Sequence, residues 1–197
     1  MIRKLTLFIV CFFEVAIILV LVDWTAWAEN KLRVYEVSSP PSCINNLGQP
    51  VQFRRAYRDS AKSASGMAKR DESGVPVVYR FSFHNSPYAL QQFIDFHECA
   101  HHQTGDVDLP HPPRNSPQHL MNESVADCIA TLRIRDELEN GSDTIAQAIT
   151  ELMRTMRKIG FPEITLESRK SNITNCFSKR ETADTFLNGI LQYRGLK

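Results

Sequence analysis

The chain has 197 residues, 43% of them hydrophobic and 23% charged, with a formal net charge of +1. That composition fits one ordinary globular domain plus a targeting segment. The even balance of charge excludes a nucleic-acid partner, because phosphate binding needs a clustered basic excess. The sequence carries no block of like charge, no low-complexity tract and no internal repeat.

The first element in chain order is a targeting segment. Arg3 and Lys4 precede an apolar run from Leu5 to Val22, interrupted only by Glu14. Ala26-Trp27-Ala28 then supplies a small-x-small site, so residues 1–28 read as a signal peptide cleaved after Ala28. The alternative is an uncleaved signal anchor, against which Glu14 at the centre of the run weighs. The expected location is exported, periplasmic or secreted, with membrane contact only through this segment if it is retained. Residues 29–197 form a single domain large enough for its own core.

Leu32 to Val37 alternates apolar and polar residues, as a half-buried strand does, and residues 51–57 are a second candidate. Residues 60–74 are polar and rich in small residues, which predicts an exposed loop. Residues 75–83, VPVVYRFSF, form the best strand, with Val77, Tyr79, Phe81 and Phe83 on one face. A helix follows, with Ser86 as its N-cap, Pro87 at its first position and Gly105 at its stop. Its apolar stripe is Leu90, Phe93, Ile94, His97, Ala100 and His101. A second helix starts at Ser116-Pro117 and runs to about Glu139. A third covers 142–159, with Ile145, Ala148, Ile149, Leu152 and Met156 inward and Gly160 and Pro162 ending it. A last helix is expected over 175–193. The fold class is therefore α+β, strands first and a mainly helical part after.

The chemistry concentrates in Phe96-His97-Glu98-Cys99-Ala100-His101-His102. Residues four apart on a helix differ by about 40° in direction, so His97 and His101 project from one face. Two imidazoles so placed can share one zinc ion, and Glu98 beside them can act as general base toward a water on that ion. Leu90, Phe93 and Ile94 share the stripe, so the pair faces inward, where unpartnered imidazoles would be costly. His102 is turned away by about 100° and is expected to face solvent.

A catalytic zinc needs a third protein ligand. A histidine six residues after His101 would serve, but that position is Val107. His111 and His119 remain open as ligands. The strongest candidate lies in Met121-Asn122-Glu123-Ser124-Val125-Ala126-Asp127, where Glu123 and Asp127 share a helix face. Glu123 can bind the metal, and Asp127 can accept the ring N–H of a ligand histidine.

HExxH on one helix and Asn-Glu-x-x-Ala-Asp on the next resemble the gluzincins, the thermolysin-like clan of zinc metallopeptidases. The match covers about residues 86–130. It implies a zincin-like domain, one zinc held by His97, His101 and Glu123, Glu98 as base, and Asp127 as partner to His97. It implies a peptide or protein substrate that adds as a strand beside an edge strand, a place that residues 75–83 take in chain order. It also implies an oxyanion-stabilising Tyr or His, for which His111, His119 and Tyr193 are the candidates. The chain is much shorter than thermolysin and lacks a full second substrate-binding domain.

Cys43, Cys99, Cys128 and Cys176 are an even set in an exported chain, which predicts two disulfides. Cys99 lies about 200° from His97 around the helix, so it is neither ligand nor nucleophile. The expected pairs are Cys99–Cys128, tying the two metal-bearing helices, and Cys43–Cys176, with Cys43–Cys99 as the rival. The functional expectation is an exported zinc peptidase. The alternatives are a non-catalytic zinc-binding envelope protein and a disulfide-stapled structural domain.

Overall fold

A three-stranded sheet is built from β1 (Gln52–Ala56), β2 (Ser65–Arg70) and β3 (Pro76–Phe81), with the β-branched and aromatic residues concentrated in β3. The computed structural model describes residues 35–57 and 63–197. The expected signal segment, and the start of the expected strand at Leu32, lie outside the described residues. β3 is central, parallel to β1 and antiparallel to β2. Five helices follow: α1 (Tyr88–Gln103), α2 (Pro117–Glu137), α3 (Gly141–Lys158), α4 (Glu163–Phe177) and α5 (Ala183–Tyr193). The architecture is α+β, as the order of patterns implies. Among the described residues, no helix is long and apolar enough to cross a membrane.

Several local expectations are corrected. Tyr35, Glu36 and Val37 are irregular rather than a strand. Residues 65–70 are β2, not part of a loop; with little apolar alternation, they are held by pairing to β3 rather than by a buried face. β3 is a central strand and not an edge. Val78 and Arg80 are buried along with Val77 and Phe81, because both faces are covered. Ser86 does not cap α1: its hydroxyl accepts from the Ala64 amide at 2.9 Å. Ser116 does cap α2, accepting from the His119 amide, with Pro117 next. The expected last helix over 175–193 is shorter, beginning at Ala183, and residues 163–177, for most of which no helix is expected, form α4. Pro162 marks a start as well as a stop, standing at the N-cap of α4.

The main core joins the helices. Leu90, Phe93 and Phe96 of α1 meet Ile134 of α2, Ile145, Leu152 and Met156 of α3, and Leu166 and Ile173 of α4. The opposite side of α1 packs on the sheet, where Cys99 joins Val51 and Val78. His102 shares that side. It is fully buried, with Nε2 3.0 Å from the Val77 carbonyl oxygen, and does not face solvent. A buried ion pair fixes helix to sheet: the Arg80 guanidinium donates to Asp95 at 2.9 Å and to the Ser38 carbonyl at 2.7 Å. Burial outweighs Arg80 and pushes the Asp95 carboxyl up to about 7.

The disulfides are Cys43–Cys99 and Cys128–Cys176. The expected Cys99–Cys128 pairing is overturned, and the rival for Cys99 is the observed one. The helix wheel explains it. α1 shows its histidine face to α2, so Cys99 behind that face meets the loop before β1. Cys128 looks away from α1, toward Cys176 and Ala183. The two bridges fit an oxidising, exported location. Replacing both Cys128 and Cys176 by Ala should cost about 2–4 kcal/mol in urea unfolding. A non-reducing peptide map should link Cys43 to Cys99, and a Cys99–Cys128 peptide would refute this connectivity.

Candidate metal centre

α1 and α2 approach closely because small residues line their contact. Ala100, between the two histidines, is fully buried against Val125, Ala126 and Ile129. That approach sets Glu123 opposite His97 and His101. His97 Nε2 and His101 Nε2 are 3.2 Å apart. Glu123 Oε2 is 3.4 Å from the first, and its Oε1 is 3.5 Å from the second. A tetrahedral zinc with ligands at about 2.0–2.2 Å spaces its donors by roughly 3.3–3.6 Å. The triangle therefore has the size such an ion requires, and these three residues form a group that could hold a metal ion.

Each imidazole is oriented from behind. Asp127 Oδ1 stands 2.8 Å from His97 Nδ1, buried with it, at an ion-pair distance rather than in a well-aligned hydrogen bond. His101 Nδ1 donates to Asp106 Oδ2 at 2.9 Å. Carboxylates only accept, so Nδ1 keeps its proton in the neutral form of each ring, which leaves Nε2 as the nitrogen free to bind a metal. These carboxylates are themselves held. Arg169 of α4 donates to both Asp127 oxygens at 2.7 Å. Arg194 donates to Asp106, and also to the Thr104 carbonyl at 2.8 Å.

Asp106, Arg169 and Arg194 are absent from the sequence-based site. Asp106 had a local signal, since Gly105 closes α1 in a left-handed turn (φ 76°) that returns the chain toward His101. Arg169 and Arg194 had none, because only packing brings α4 and the chain's end to α2.

The electrostatics agree with a cation site. Burial opposes a charge on His97, yet Asp127 and Glu123 outweigh it and push its pKa up to about 10. Burial would raise the Glu123 carboxyl, but His97 and His101 hold it well below the usual range. Asp127 is likewise lowered against its burial by Arg169 and His97. The metal-free centre thus keeps a proton on His97 where a cation would otherwise sit.

The remaining predicted residues are placed as follows. Glu98 points to the sheet, its Oε2 accepting from the Ala68 amide at 2.8 Å. His119 Nε2 is 3.9 Å from Glu123 Oε1, and His111 packs edge-on against His119. Neither belongs to the metal-holding group, and Tyr193 is 89% exposed. A cavity of about 500 Å³ opens beside Glu123, with Met156, Phe161, Ile164 and Arg169 in its wall. Comparison with family models, curated proteins and solved structures finds no match for the chain.

With zinc added as the probe ion, His97→Ala should abolish the stoichiometric binding that the three-residue group permits in the parent, read by elemental analysis of the purified protein. Retained stoichiometric zinc would remove His97 from the ligand set. The folded pKa of His97 lies above its unfolded value of about 6.5. Its protonated form therefore stabilises the metal-free fold fully below that value, and the effect is lost as pH rises through about 10. Zinc binding at pH 7 should accordingly release about one proton from the centre. Titration calorimetry in buffers of different ionisation enthalpy measures this, and zero release would contradict it.

Proposed function

We propose that the chain is an exported zinc-dependent peptidase of gluzincin type, with a zincin-like fold. His97, His101 and Glu123 would hold one zinc, and Glu98 would serve as general base. Two imidazoles and one carboxylate suit zinc among the common divalent ions. The observation that carries the reading is the converging triangle with Glu98 one residue along the same helix. A zinc ion there would polarise a substrate carbonyl and lower the pKa of its water to roughly 7.

The chain's own groups divide the remaining work. Glu98 takes the proton of the attacking water and delivers it to the leaving amine. Asp127 and Asp106 keep both imidazoles in register. β2 is the edge strand next to Glu98, and its outward backbone groups apart from the Ala68 amide, which Glu98 holds, remain for an extended peptide. This replaces residues 75–83 as the proposed docking strand. The apolar wall of Met156, Phe161 and Ile164 offers room for a substrate side chain. The substrate is a peptide or protein, with no nucleic-acid role.

Glu98→Gln should keep stoichiometric zinc and lower hydrolysis of an unstructured protein substrate by at least about 10²-fold. A variant that cleaves as well as the parent would refute the mechanism. A zinc-loaded parent that cleaves nothing would favour the non-catalytic zinc protein instead.

A further inference from the structure

Glu98 is the residue on which the proposed chemistry turns, and its setting is unusual for a side chain near a sheet. It does not lie over a strand's side chains but enters a gap in one. A Cβ built on Gly66 would stand 2.3 Å from Glu98 Cγ, 2.7 Å from Oε1 and 2.8 Å from Cδ. All three of its nearest contacts belong to Glu98. Gly66 has no positive φ and sits inside β2, so backbone conformation does not demand glycine there. Glycine inside a strand sacrifices packing and conformational entropy, and it often marks a close approach. Here the approaching group is the glutamate.

Two residues on, the Ala68 amide donates to Glu98 Oε2. In an antiparallel strand, outward backbone groups alternate with those paired to the neighbour. Gly66 and Ala68 are therefore on the same outward row of β2. One supplies space for the side chain and the other a hydrogen bond to its end. A carboxylate held by both cannot swing freely between rotamers, and a glutamate otherwise retains much rotamer freedom.

We infer that Gly66 is a positioning residue for Glu98. The notch at Gly66 and the Ala68 amide together set where the base stands relative to the metal-holding triangle. This rests on the peptidase reading for its catalytic consequence, but the notch itself is independent of that reading. Because Glu98 is a flexible side chain, a methyl group at position 66 displaces the carboxylate and leaves the fold intact. A misplacement of about 1 Å can cost a reaction roughly 10²-fold.

The test compares the zinc-loaded full-length parent with Gly66→Ala, Glu98→Ala and the double variant. Gly66→Ala should retain one zinc per chain, lower kcat by about 10- to 100-fold and leave KM within about threefold. The second readout needs no activity. Amide hydrogen exchange at Ala68, followed by NMR, should accelerate in Gly66→Ala and equally in Glu98→Ala. Met67, whose amide faces β3, should be unchanged. In the Glu98→Ala background, Gly66→Ala should alter neither Ala68 exchange nor Tm, since nothing remains to be displaced. Unchanged Ala68 exchange in Gly66→Ala overturns the inference. So does an equal Tm loss in both backgrounds, which would make Gly66 a backbone requirement. If the parent shows no hydrolysis, the exchange data still decide the notch, and only the peptidase reading falls.

Discussion

Three Lewis bases brought within 3.5 Å of one another inside a protein repel unless something positive stands between them. His97, His101 and Glu123 are in that position, and much of the surrounding structure exists to keep them there. Asp127 and Asp106 turn the two rings so that both lone pairs face inward. Arg169 and Arg194 hold those carboxylates in turn. The charges alternate outward from the centre: base, carboxylate, guanidinium. Each layer offsets the desolvation of the one inside it, which burial alone would make prohibitive.

That arrangement explains the division of labour on α1. One face carries the histidines toward α2. The other carries Cys99 and His102 toward the sheet, where they bond to Cys43 and the Val77 carbonyl. Glu98 lies between the faces and reaches the edge strand. A helix fixed on both sides by a disulfide, a buried ion pair and a helical core is a rigid support, and a site built on it is held more closely than one on a loop. The second disulfide does the same for the outer shell, since Cys128–Cys176 ties α2 to the helix that bears Arg169.

The helical stripes of α1 and α3 were legible because the 3.6-residue period is local, and so were the Ser116-Pro117 start of α2 and the Gly105 stop of α1. β2 was not legible. Its residues, SGMAKR, have little apolar alternation, and they form a strand because β3 offers a partner. The notch at Gly66 looks like loop composition until Glu98 is seen to occupy it. α4 is obscured for a different reason: Pro162 fits the end of one helix in sequence, although it stands at the N-cap of the next.

Spacing along the chain is enough to put His97 and His101 on one face with Glu98 beside them, and Glu123 and Asp127 on one face of the next helix. Those relations depend on spacing within one helix, which the geometry of the backbone dictates. It takes long-range packing to bring the two faces together, to pair Cys99 with Cys43, and to complete the centre with Asp106, Arg169 and Arg194. Those depend on which helix side packs against which neighbour. Burial of apolar surface sets that choice across the whole chain, and no short window of residues contains it.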